Sequence, residues 1–117
     1  MSIKRIKVGP RMSQAVVYNG IVSTAGQVAI NASGEDAAAQ TKDILNSIDT
    51  LLDEAGTDKS KLLTATIWLA DIADFSAMNS IWDTWVLEGN TPTRACVESK
   101  LAAPQFTVEI AATAAVD

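Results

Sequence analysis

The chain contains no histidine. That absence removes the commonest zinc ligand and the commonest general base together, so histidine-based triads and zinc hydrolases are excluded. Cysteine is almost as scarce. Cys96 stands alone, with no partner for an internal disulfide and no CxxC companion for redox or metal work, as suits a reducing cytosol. Six glycines and three prolines in 117 residues are too few for a disordered or fibrous chain. Positive charge is sparse as well. A net charge of -5, with basic residues clustered only at Lys4, Arg5, Lys7 and Arg11, leaves no surface to track a phosphate backbone, so nucleic acid is not an expected partner. Residues 12–34 carry no formal charge, but Ser13, Gln14, Asn19, Gly20, Thr24 and Gln27 interrupt them too often for a membrane span. The first residues lack the apolar core and cleavage pattern of a secretory signal, and the expected location is cytoplasmic.

What the chain does have is apolar content. With 48% hydrophobic and 20% charged residues, it reads as one globular domain, 1–117, large enough to bury a core. Ile3, Ile6 and Val8 alternate with basic residues and predict a short first strand ended by Gly9-Pro10. Gln14 to Tyr18 and Ile21 to Gln27 flank Asn19-Gly20, which accepts the positive φ angles of a type I′ turn, and so predict a β-hairpin. Ser33 is the expected cap of a helix that carries Glu35 and Asp36 at its positive end and stops at Gly56. Within it Ile44, Leu45, Ile48, Leu51 and Leu52 recur at helical spacing. Lys61 to Ala70 predicts a strand, with Leu63, Ala65, Ile67 and Leu69 on its buried face and Thr64, Thr66 and Trp68 on the other. A second helix is capped by Asp74, buries Phe75, Met78, Ile81, Trp82, Trp85 and Val86, and stops at Gly89. Arg94 to Leu101 and Phe106 to Val116 complete the order βββαβαββ. The expected fold is α+β, a mixed β-sheet with two helices packed on one face. The other face, holding Thr64, Thr66, Trp68, Glu109 and Ala111, is too apolar to face solvent, which predicts a homo-oligomer.

Two charged residues on the last strands are the candidates for chemistry. Arg94 follows the turn Thr91-Pro92-Thr93 and presents a planar guanidinium that can hold a carboxylate in two parallel hydrogen bonds. Glu109, expected on the neighbouring strand, can orient a water molecule. Strand parity puts Arg94, Cys96, Glu98 and Lys100 on one side, a charged row expected to lie away from the helix-covered core. The competing structural reading is a salt bridge from Arg94 to Glu98 or Glu109. Cys96 reads as a small half-buried apolar side chain, since no histidine is present to generate a thiolate. Trp68, Trp82 and Trp85 read as packing residues.

These segments also carry a resemblance. Ala25-Gly26-Gln27, Ala73-Asp74-Phe75, Met78-Asn79, and Pro92-Thr93-Arg94-Ala95-Cys96-Val97 followed by Val108-Glu109-Ile110 resemble the Rid family, the YjgF-type reactive intermediate deaminases. The resemblance runs nearly end to end, and the Arg94 to Glu109 spacing is its most specific part. It implies a chorismate-mutase-like homotrimer with three clefts between subunits. In those clefts Arg94 would clamp the substrate carboxylate, Glu109 would hold the attacking water, and backbone groups around Cys96 would seat the substrate. Arg11, Ala25 and Gly26 would be further binding positions. The implied activity is hydrolysis of short-lived 2-enamino and 2-imino acids to 2-keto acids and ammonia, with neither metal nor cofactor. Two positions depart from the deaminating pattern. Arg11 stands where a tyrosine is usual and Ala25 where a serine is usual, so two hydroxyls are missing and Arg11 offers a second cationic contact instead. A non-catalytic trimeric binder of 2-keto acids is the alternative. Endoribonuclease or translation-inhibitor activity finds little support in a chain without histidine, with net negative charge and few aromatics to stack bases.

Overall fold

Chain reversal at Asn19-Gly20 organises the first third of the protein. In this computed structural model, which describes residues 2–117, Asn19 and Gly20 take φ angles of 53° and 77°. Strands β1 (Lys4–Val8), β2 (Ser13–Tyr18) and β3 (Ile21–Thr24) pair antiparallel in sequence, the hairpin turn lying between β2 and β3. The third strand does not run on to Gln27 as expected. It breaks at Ala25-Gly26 and resumes as a two-residue strand β4 (Gln27–Val28), so the observed order has one more strand than βββαβαββ. Both pieces pair with the last strand, β7 (Val108–Ala115), but in registers that differ by one residue. An extra residue of this kind turns the following side chains to the opposite face.

Helix α1 (Ala37–Glu54) is capped three residues later than expected. Asp36, not Ser33, caps it: its Oδ1 accepts a hydrogen bond from Ala39 N at 2.9 Å. Strand β5 (Leu62–Leu69) follows a short 3-10 turn and holds a second surprise. Leu62 is buried and Leu63 is 41% exposed, because the register against β7 shifts between Leu62 and Thr64. Helix α2 (Phe75–Trp85) buries Met78, Trp82 and Trp85 but leaves Phe75 40% exposed. Asp74 makes no side-chain capping bond; Asp71, one turn earlier, accepts from Ala73 N instead. Strand β6 (Thr93–Glu98) ends three residues short of the expected Leu101.

The sheet order is β1-β2-β3-β7-β5-β6, with β5 and β6 parallel and the other pairs antiparallel. Ile67, Leu69, Ile110 and Ala114 on one face meet Ile44, Leu45, Ile48 and Met78 of the helices, all fully or almost fully buried. Both helices thus cover a single face, the expected α+β arrangement. One buried polar side chain ties the layers together. Gln40, fully enclosed, donates from Nε2 to the carbonyls of Glu35 (2.8 Å) and Gln105 (2.9 Å), and its Oε1 accepts from Thr107 N at 2.9 Å. It therefore fixes the start of β7, two residues before Glu109.

Candidate functional site

The two charged candidates do not lie on adjacent strands: β5 runs between β6 and β7. Nor do they share a face. Arg94 pairs across to Ala65 and Cys96 to Ile67, both buried beneath the helices, so the Arg94–Cys96–Glu98 row points to the helix side. The expectation that a charged row must avoid this side fails because β6 is the edge strand. There the helical cover thins and charged heads reach solvent. Glu109 lies between fully buried Val108 and Ile110 and pairs with Trp68 and Val28, so it points to the open face. Strand spacing and rise place the two α-carbons roughly 14 Å apart within one protomer.

On the helix side, Arg94 is gripped by α2. Its Nη1 donates to Asn79 Oδ1 at 2.7 Å, and its guanidinium carbon lies 5.8 Å from the Phe75 ring centre and 5.3 Å from that of Trp82. The salt bridges that competed for Arg94 do not form. Glu98 instead accepts from Ile72 N at 2.9 Å, and Glu109 points the other way. Cys96 is half-buried beside Arg94. Burial pushes its thiol above the ordinary value, and the nearby guanidinium charge only partly opposes that. A protonated thiol fits the packing role read from the sequence. Asn79 is the residue that sequence reasoning left without a role. The signal was its spacing, because Phe75, Asn79 and Trp82 are four and then three residues apart and fall on one helix face.

On the open face, Glu109 sits against Gly26. A side-chain carbon added at Gly26 would overlap the carboxylate, with Glu109 Cδ only 2.9 Å away. Gly26 is needed here for room rather than for an unusual φ. The strand break that precedes β4 presents this gap, and its neighbours brace it. Ala25 N donates to Gln14 O at 2.8 Å, while Gln27 Nε2 donates to Gln14 Oε1 at 2.9 Å and to Ala25 O at 3.1 Å. Arg11 lies in the connection between β1 and β2, exposed, and forms no ion pair or hydrogen bond with either group among the described residues. The candidate residues therefore fall into two separate groups: Arg94 and Cys96 with α2 at one edge, and Glu109 with Ala25 and Gly26 on the open face. Neither lines either of two surface cavities of the protomer. One of about 460 Å³ is walled by the β6–β7 connection, and another of about 240 Å³ lies between α1 and α2.

An α+β sheet with both helices on one face is also the architecture of known proteins. The family model described as endoribonuclease L-PSP matches residues 2–116. A RutC family protein of Haemophilus ducreyi is 47% identical, the match covering 98% of this chain and 97% of the relative. The RutC family protein YoaB of Escherichia coli is 43% identical over 99% of this chain and its own full length. Among solved structures, a YjgF family member from Neisseria meningitidis superposes with a TM-score of 0.96 at 47% identity, covering 100% of this chain and 97% of the other. A Rid family protein, YyfA, from Yersinia pestis does so with a TM-score of 0.82 at 34% identity, covering 93% and 90%. The chain belongs to this endoribonuclease L-PSP family, the YjgF/RutC/Rid group.

Proposed function

We propose that the protein is a homotrimeric, cofactor-independent hydrolase that deaminates reactive 2-imino acids in clefts between subunits. One observation carries the reading. Arg94 and Glu109 point from opposite faces of the same sheet, so one protomer cannot direct both at a small substrate, whereas a second copy against the open face can bring its Arg94 to the Glu109 exposed there. Arg94 binds the substrate carboxylate, and this charge-assisted contact contributes on the order of 1.5 to 3 kcal/mol. Glu109 of the neighbouring subunit holds a water. The water oxygen adds to the electrophilic imine carbon, the nitrogen takes up a proton, and collapse of the carbinolamine expels ammonia and leaves the 2-keto acid. The backbone around Cys96 and Ala25-Gly26 borders the substrate, and Arg11 offers a further cation to a larger anion. The open face, where Thr66, Trp68, Ala111 and Thr113 are only half-buried, supports packing against another copy. No helix among the described residues is long and apolar enough to cross a membrane, and the lone reduced cysteine suits the cytosol.

A second reading, a non-catalytic binder of 2-keto acids, draws on one feature. Ala25 and Arg11 stand at the two positions where the deaminating pattern carries hydroxyls. Keto-acid release from freshly generated 2-aminoacrylate, followed for the wild type and Arg94→Ala side by side, separates the two. Acceleration that is lost in the variant supports the hydrolase. No acceleration by an assembled oligomer that still binds pyruvate leaves the binder.

A further inference from the structure

An arginine that must catch a small carboxylate works better when its guanidinium is already fixed, because a free side chain loses rotamer freedom on binding. Arg94 is exposed and sits on an edge strand, yet three side chains from one face of α2 hold it: Phe75 and Trp82 by their rings and Asn79 by a 2.7 Å hydrogen bond from Nη1. The contact is economical in donors. Nε and Nη2, the two nitrogens on the other edge of the fork, make no hydrogen bond among the described residues. That edge is free to take both oxygens of a carboxylate while the Asn79 bond stays intact. Asn79 is also a neutral acceptor. It orients the guanidinium without cancelling its charge, as an aspartate at this place would do. Glu98, the carboxylate on the same strand and face, is occupied by Ile72 N and does not take Arg94 away from a ligand.

We propose that Phe75, Asn79 and Trp82 form a positioning clamp that holds Arg94 with its Nε–Nη2 edge presented to a ligand carboxylate. This rests on the reading of Arg94 as the carboxylate anchor. The three residues act through Arg94 and need not touch the substrate. The clamp also explains why Phe75 remains 40% exposed on an otherwise buried stripe: its ring covers the guanidinium rather than the core.

The test is calorimetric titration with pyruvate on the assembled protein, with circular dichroism and oligomer mass checked for each variant. Asn79→Ala is expected to weaken binding about tenfold, the loss of one hydrogen bond to a charged group. Phe75→Leu is expected to weaken it roughly threefold, and Phe75→Tyr, which keeps the ring, to restore it. Asn79→Asp ties up the charge and should weaken binding more than Asn79→Ala. With an imine substrate the same losses fall on KM and leave kcat nearly unchanged, a split that a merely structural role would not produce. Binding that disappears in Arg94→Ala but is unchanged in Asn79→Ala and Phe75→Leu overturns the clamp alone. Wild-type binding that Arg94→Ala leaves intact, or no wild-type binding at all, overturns the anchor reading and the clamp with it.

Discussion

At the scale of single residues, the site depends on what small side chains leave room for. Gly26 lets the Glu109 carboxylate lie against the backbone, and a methyl group there would displace it. Gly26→Ala should therefore fold and assemble normally yet lose activity about as severely as Glu109→Ala. A fully active Gly26→Ala would show that the carboxylate's position does not matter. Cys96 makes a contrasting prediction. Burial holds its thiol above the ordinary value of 9.0, so alkylation by iodoacetamide should accelerate only at higher pH, and a midpoint at or below the ordinary thiol range would contradict this. The sign for stability follows. The folded chain keeps the proton to higher pH than the unfolded chain does, so this thiol's contribution is complete below the unfolded value and falls as pH climbs past it. Arg94 and Glu109 were both legible in the sequence as candidates. Their opposite facing was not, because it depends on which strand lies at the sheet edge.

At the scale of elements, local chemistry was legible where a turn or a period decides the outcome. Asn19-Gly20 fixed the hairpin, and the apolar spacing of both helices placed their buried stripes. The errors fall where neighbouring elements choose between similar local options. Asp36 outcompetes Ser33 as a cap because the chain is still turning through Gly34, at φ 81°, when Ser33 is passed. Leu63 yields the core to Leu62 because β7 imposes a bulge that alternation within β5 cannot reveal. Gln40 also lay hidden, since a glutamine inside an amphipathic helix gives no sign that two of its partners lie 65 and 67 residues away. Its replacement by leucine takes the side-chain partner from the Thr107 amide and the Glu35 carbonyl, while the Gln105 carbonyl keeps only Gly34 N. Gln40→Leu should lower unfolding stability by about 3 kcal/mol in urea denaturation. A loss under about 1 kcal/mol would mean that the strap to β7 is dispensable.

At the scale of the whole molecule, the proposal that a second copy covers the open sheet face and completes the site can be tested directly. A trimer of the 12.3 kDa chain is expected in solution, and light scattering should report about three times that mass. Ala111→Glu sets a charge in the middle of the open face, beside Thr66, and should yield monomers that neither bind pyruvate nor hydrolyse imines. The most direct test of an active site shared between neighbours is complementation. Arg94→Ala and Glu109→Ala subunits are each expected to form inactive trimers. Co-refolded in equal amounts, with exchange verified by mass, they combine an intact Arg94 with a neighbour's intact Glu109 in about a quarter of the clefts. Keto-acid release from 2-aminoacrylate should then recover to about a quarter of the wild-type rate. Mixed trimers that remain as inactive as their parents would contradict a site built across the subunit boundary.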